Sequence, residues 1–391
     1  MRILVVAPRL PARPCHEAAR LGAAHLVDRL AERHTLAVVA GTGGGDTPAQ
    51  RAWLDARAAR VESVPAGRWR TRAGRPGEAL AALDVLARRV AARFQPDVIH
   101  LEGDVLAPLA RGAEAPTVLA CHASASRDAR DARRAADTPW RRLAARVRER
   151  VETAWAREWF DGAAACVADS EDDRTALAEH VPLERIEVVP PGVDDVTHAF
   201  RRGGQPARLV FTGDLGAPRD VEAARRLAGA ILPRVRRRTP RAELLLASAS
   251  GLGPAARALA QSPGVRVTGG LPDLRPSVWS AAVYASPLAA GHGRRGRLLE
   301  PMALGTPVVA SPPSLSGTPD ALPGHHVLTA TGDEEFADAI GVLLAEPGVA
   351  HALARSARDL VEQRCTWRAA ARRYEALYAR LAGAVPVELA A

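Results

Sequence analysis

The run Ala281–Ala310 reads AAVYASPLAAGHGRRGRLLEPMALGTPVVA. It opens on an apolar stretch, AVYASPL, of a length suited to a buried strand. Gly291-His292-Gly293-Arg294-Arg295-Gly296 comes next and matches G-x-G-x-x-G between a strand and a helix, the setting in which backbone N–H groups cradle a phosphate. The helix after it, Arg297 to Leu304, contains Pro301, which is tolerated only in a first turn, where the missing N–H has no helical partner anyway. The run closes on a second strand, TPVVAS. Strand, glycine turn, helix and strand make one βαβ unit of a parallel sheet. Arginines and a helix N-terminus would converge there on one anion, and Glu300, one turn on, could accept from a sugar hydroxyl. A solvated basic loop beside an amphipathic helix is the competing reading. A nicotinamide dinucleotide site is rejected, because it would normally lie at the first strand of its domain and carry an acid at the end of the next strand. Here PVVAS ends in Ser311.

The same alternation extends outward in both directions. Upstream, strand ARLVFTG leads to a helix from Val221 to Arg237, strand AELLLAS, a helix through Leu259 and strand VRVTG. Downstream, a short strand HVLTA precedes a segment that is helical almost to the end from about Gly332, with Trp367, Tyr374 and Tyr378 as packing residues along it. Before Gly203-Gly204 lies a separate series: strands MRILVVAP, TLAVVAG, DVIHLE, TVLACH, AACVAD and IEVVPPG, alternating with helical patterns from Glu17 to Arg33, Gly77 to Phe94, Leu106 to Arg111, onward to Phe160, and Glu171 to His180. Strands alternating with helices predict an α/β protein with two Rossmann-like domains of parallel strands. The expected division is 1–195, 196–365, and a C-terminal helix at 366–391 packing back on the first domain; Pro190-Pro191-Gly192-Val193-Asp194 supplies the hinge chemistry. At 391 residues, two domains also suit the length.

All 53 basic residues are arginine, against 44 acids, giving a net charge of +9. With Lys and Asn both absent, this is codon bias, and the positive balance is weak support for an anionic partner. Any site requiring a cation must use Arg or His, and Arg offers a permanent planar fork suited to phosphate. Aromatics amount to only 4%, too few to stack bases along a strand, which argues against nucleic acid. Cys15, Cys121, Cys166 and Cys365 form no C-x-x-C pair. Neither zinc nor a disulfide framework is signalled, and no carboxylate or histidine cluster has metal spacing, so no metal and no cofactor are expected. The first apolar run is too short for a signal-peptide core, so a cytoplasmic location is expected.

The segment Ala281–Ala310 resembles the donor-binding segment of glycosyltransferase family 4: strand, glycine-rich turn, a Lys-x-x-Glu-Ala-Met-Ala helix, and a Gly-x-Pro-Val-Val strand. Here Arg297 falls on the Lys and Glu300 on the Glu. FDGAAACVADSEDDRTAL and IEVVPPGVDD are similar to further motifs of the family, as is the stretch beginning FTGDLGAPRDVEAA. The resemblance implies the glycosyltransferase B-type fold, two facing Rossmann-like domains, with a nucleoside-diphosphate sugar bound mainly by the second and an acceptor by the first. It further implies retaining hexosyl transfer to an acceptor hydroxyl, in glycan, glycolipid or glycoconjugate (including polysaccharide) biosynthesis. The donor-binding residues it points to are Arg219, Gly291, His292, Gly293, Arg297, Leu298 and Glu300. Arg297 would meet the diphosphate, and Glu300 the ribose. Arg219 lies near a further phosphate-binding cation of the family, or is a surface helix-start residue. His122, closing strand TVLACH, would be the catalytic-site histidine that contacts the donor sugar, against the alternative of a structural strand-end histidine.

Two departures qualify the match. His292 stands where many members carry the first of two glutamates, and as a cation it would not replace a carboxylate electrostatically. Pro8-Arg9-Leu10-Pro11 stands where the family usually has a Gly-Gly pair. A sugar-nucleotide epimerase or hydrolase on the same fold, or a non-catalytic sugar-nucleotide-binding scaffold, are therefore the alternatives. Finally, Arg127 to Phe160 holds 10 Arg, 6 acids and Trp140, Trp155, Trp159 and Phe160. It reads either as a helix resting on the inner face of an anionic membrane, where a lipid-linked acceptor would be met, or as a surface helix burying its aromatics. Glycan, lipid-linked and small-molecule acceptors all stay open.

Overall fold

The computed structural model describes the chain apart from residues 14, 16–17, 72–73, 123, 135, 137, 195–196, 202–203, 290–296, 316–317, 319 and 384–391, and apart from the side chains of 18 and 19. It divides into two units, Met1–Pro191 together with the segment from Trp367, and Gly192–Thr366. The second unit starts at Gly192 because Val193 is bound to its far end: its N–H donates to the Cys365 carbonyl at 2.8 Å, and it bridges Thr366.

In the first unit the strands are β1 (Arg2–Ala7), β2 (Thr35–Thr42), β3 (Arg60–Pro65), β4 (Val98–Glu102), β5 (Thr117–His122), β6 (Ala165–Ala168) and β7 (Ile186–Val188). They form one sheet in the order β3-β2-β1-β4-β5-β6-β7, every pairing parallel. Because side chains alternate along a strand, the unbroken apolar run of β1 covers both faces of the sheet. Leu4 and Val6 pack with Leu83, Leu86 and Val90 of the helix Glu78–Phe94. Ile3 and Val5 pack on the other side with Leu26, Val27 and Leu30, and with Tyr374, Leu377 and Tyr378 of the last helix, Trp367–Leu381. That helix is fixed by Trp367, whose ring stacks on His25 with centroids 5.3 Å apart, and by Glu375, which pairs with Arg33 and His34.

Two elements of this unit depart from the sequence reading. The helix Pro48–Asp55 and the edge strand β3 have no counterpart in it; β3 is RVESVP, half exposed, without the apolar signature of its neighbours. The long helical pattern ending at Phe160 is two helices, Ala125–Arg134 and Pro139–Trp159. Thr138 caps the second, its hydroxyl accepting from the Arg141 N–H, with Pro139 in the first turn. This helix buries Trp155 and leaves Trp140, Leu143 and Val147 exposed, Trp140 to 80%.

The second unit holds β8 (Gln205–Thr212), β9 (Glu243–Ala247), β10 (Val265–Thr268), β11 (Ala281–Ser286), β12 (Val308–Ala310) and β13 (Leu328–Thr329). Their order is β10-β9-β8-β11-β12-β13, again all parallel. The helical run after β8 starts at Pro218 and carries a π-turn at Leu227–Ile231 before its last part, Leu232–Arg238. Pro233, which cannot donate back into the helix, accounts for that widening.

Candidate functional site

In an open parallel sheet the crevice for a ligand lies at the carboxyl ends of the strands where the chain order reverses. In the second unit that point falls between β8 and β11, which are neighbours although the chain visits β9 and β10 between them. The two strand ends are tied by a buried bond of 3.0 Å between the Thr212 and Tyr284 hydroxyls, and burial pushes the Tyr284 phenol up. Beyond β8 comes the turn Gly213–Ala217 and the helix Pro218–Arg226, whose Asp220 is 1% exposed. Beyond β11 the chain returns at Arg297, also buried, whose Nη2 donates to both oxygens of Asp220 at 2.9 and 2.7 Å. Its guanidinium carbon lies 5.3 Å from the centre of the Phe211 ring. The other terminal nitrogen, Nη1, is buried with no hydrogen-bond partner among the described residues.

The remaining residues expected at a donor site fall around this pair. Arg219 is exposed, with Nε 3.5 Å from Asp220 Oδ1. Glu300 is half-buried in the first turn of the helix Leu299–Leu304, and its charge is felt at both Tyr284 and Arg275. The side chain of Leu298, also expected among the donor-binding residues, is wholly buried with Leu299, Met302 and Val308. Gly291, His292 and Gly293 lie outside the described residues.

In the first unit the reversal falls between β1 and β4, and from β4 outward three neighbouring strand ends carry ionisable groups. Glu102 ends β4, His122 ends β5, and Asp169 follows β6. His122 has φ 52°, a left-handed conformation rare for a non-glycine residue and sustained only where surroundings over-determine it. The surroundings do so: its Nε2 donates to Glu102 Oε1 at 2.7 Å and its Nδ1 to Asp169 Oδ1 at 3.2 Å. Burial disfavours the imidazolium, but the two carboxylates outweigh it and hold the His122 pKa well above the ordinary value. Burial likewise opposes the Glu102 charge, and His122 and His100 overcome it, leaving the carboxyl well below the usual range.

The chain of contacts continues inward. Glu102 Oε2 accepts from His100 Nε2 at 2.9 Å, and His100 Nδ1 lies 2.7 Å from the Tyr378 hydroxyl. Burial pushes the Tyr378 phenol far up, so it stays a donor. Glu102, a carboxylate that can only accept, requires the proton of His100 on Nε2, aimed at it. Next to this line, burial raises Asp104 to about 6. His122 was legible as a strand-end histidine; Glu102, Asp169, His100 and Tyr378 were missed, although the acids share its position just past an apolar run.

Two helix-covered parallel sheets in succession are the architecture of the glycosyltransferase B-type fold. Two family profiles match, "Glycosyltransferase Family 4" over residues 21–196 and "Glycosyl transferases group 1" over 206–346. The chain belongs to this family of glycosyltransferases, group 1, family 4. Among curated proteins no sequence matches. Solved structures similar to it include Anabaena Alr3699/HepE in complex with UDP, 16% identical with a TM-score of 0.66, covering 97% of this chain and 100% of that one. Sucrose-phosphate synthase from Thermosynechococcus elongatus is 15% identical with a TM-score of 0.70, covering 97% and 99%. WaaG, a glycosyltransferase of lipopolysaccharide biosynthesis, is 13% identical with a TM-score of 0.65, covering 98% and 100%.

Proposed function

We propose that the protein transfers a hexosyl group from a nucleoside-diphosphate sugar to an acceptor hydroxyl with retention of configuration, without a metal ion. The observation that carries the donor assignment is the Nη1 of Arg297, buried and without a partner among the described residues, at the switch point of the second unit. A buried guanidinium nitrogen without an acceptor costs free energy on the order of 1–3 kcal/mol, and a phosphate oxygen would satisfy it. Arg219 adds a second cation, and Glu300 takes the ribose hydroxyls. In the reaction the anomeric C–O bond breaks and the departing diphosphate keeps the electron pair, its charge stabilised by Arg297. The acceptor oxygen forms the new bond, and its proton passes to a phosphate oxygen of the leaving group. His122 does not take that proton, because both ring nitrogens already carry one; it serves as a fixed cation between two carboxylates, orienting the sugar.

The test is calorimetric titration with UDP, GDP, ADP and dTDP in EDTA. Saturable binding of one of them is expected, and UDP is the first choice, since the Anabaena relative was crystallised with it. Failure of all four, with magnesium restored, would remove the donor reading. Transfer from the matching sugar nucleotide, with the product anomer read by NMR, decides retention; an inverted product sinks that part.

For the acceptor, a lipid-linked glycan met at the inner membrane face is supported by the helix Pro139–Trp159. Exposed Trp140, Leu143 and Val147 follow one helical stripe, beside exposed Arg141, Arg142, Arg146, Arg148 and Arg150. The protein is expected to sediment with phosphatidylglycerol vesicles at low salt, and Trp140→Ala with Leu143→Ala to reduce this. Equal sedimentation of the variant, or none by the native protein, points to a soluble acceptor.

A further inference from the structure

Asp220 is wholly buried and yet accepts three hydrogen bonds, besides the Arg219 Nε that lies 3.5 Å from its Oδ1. Its Oδ2 accepts from the Asp214 N–H at 2.7 Å and from Arg297 Nη2 at 2.7 Å, and its Oδ1 accepts from the same Nη2 at 2.9 Å. Gly213 makes room for it: a Cβ there would sit 2.7 Å from Oδ2. The carboxylate thus links the turn after β8 to the chain returning from β11, across the switch point, 77 residues apart in sequence. A guanidinium presents its donors in a rigid planar fork, so fixing one nitrogen fixes the directions of the others. Both oxygens of Asp220 hold Nη2 and neither reaches Nη1, which has no acceptor among the described residues.

We propose that Asp220 is a positioning residue for the donor's diphosphate: it holds Arg297 by one nitrogen so that the other is aimed, unpaired, at a phosphate oxygen. The inference rests on the donor site proposed above. It assigns to Asp220, an acid and therefore an unexpected member of an anion site, a favourable effect on anion binding. Electrostatics alone gives the opposite sign, since a carboxylate beside the guanidinium repels phosphate. The two effects are separable because aim acts only through Arg297, whereas repulsion acts with or without it.

The experiment is a double-mutant cycle read by calorimetry with two probes, UDP and inorganic pyrophosphate, on the full chain. Asp220→Ala is expected to weaken both about ten- to a hundredfold, the loss of one charge-assisted contact. In an Arg297→Ala background the same change is expected to cost less than about twofold, since residues acting as one unit are non-additive. Asp220→Asn keeps an oxygen for the Asp214 N–H and for Nη2, and gives an intermediate loss; it serves as the second variant should the alanine protein fail to melt cooperatively. Unchanged or tighter binding in both Asp220 variants would show that the acid only masks the cation, and an equal loss in the Arg297→Ala background would show that it acts through the turn or Arg219 and not through Arg297. Either result overturns the proposal. Pyrophosphate bound with this pattern, and no nucleoside diphosphate bound, would keep Asp220's role and discard the sugar-nucleotide reading. Neither probe binding the native protein would discard both.

Discussion

Arg297→Ala is expected to weaken UDP binding by about ten- to a hundred-and-fifty-fold, the range for a hydrogen bond to a charged group. The upper end is favoured by what the substitution leaves behind. Asp220, 2% exposed at its side chain, would lose the cation that balances it, and the site would present a bare carboxylate to a diphosphate. Breaking a buried pair from one side costs roughly 3–5 kcal/mol, so the variant should also melt earlier. The two losses are distinguishable by ligand: native protein gains thermal stability from saturating UDP by mass action, while the variant, at the same concentration, should gain little. A variant that melts earlier yet binds UDP with native affinity would mean that Arg297 is a structural ion-pair residue and that the diphosphate sits elsewhere.

The contrast between Arg297 and Asp220 also indicates how far a sequence can be read. Arg297 was accessible because it follows a strand and a glycine turn, a local pattern. Asp220 sits in DLGAPRDVEAA, where an acid in the first turn of a helix needs no function to explain it. Only the order of the sheet, which seats β8 beside β11, makes it a partner of Arg297. Unbroken apolar strands buried on both faces revealed the two parallel sheets, and β3 escaped because an edge strand buries little and alternates with charge. The first unit repeats the lesson. Glu102, His122 and Asp169 are separated by 20 and 47 residues, spacings that carry no signal, yet each follows an apolar run. Three parallel strands side by side bring their ends together, so consecutive strand ends bearing charge deserved to be taken as one cluster. Tyr378 had no such cue: it lies on the packing stripe of the last helix, and its hydroxyl matters only because His100 is buried beneath it.

Glu102→Gln is the sharpest test of that cluster. His122 has a folded pKa raised above its unfolded value of about 6.5. The stabilisation from its two carboxylates is therefore fully present below that value and is lost as pH rises through the raised folded pKa. Removing the Glu102 charge leaves burial, which favours the neutral ring, opposed only by Asp169. The folded pKa should fall, and the alkaline loss of both stability and activity should move to lower pH with it. The amide cannot restore the geometry. Its oxygen can accept from His122 only if its NH2 faces His100, whose Nε2 carries the proton it gives to Glu102 in the native protein. Turned the other way, the NH2 confronts His122 and forces it neutral. The first arrangement opposes a donor to a donor and the second removes the imidazolium charge, so kcat should fall on the order of a hundredfold at neutral pH, as for loss of an electrostatic contact in a preorganised site. Affinity for UDP, which the donor proposal assigns to the second unit, should stay native. A pH–rate profile whose alkaline limb does not move, with His122 still doubly protonated by nitrogen NMR, would show that Asp169 alone holds the charge. A reduced UDP affinity with unchanged kcat would instead remove the cluster from the chemistry and make it a support for donor binding.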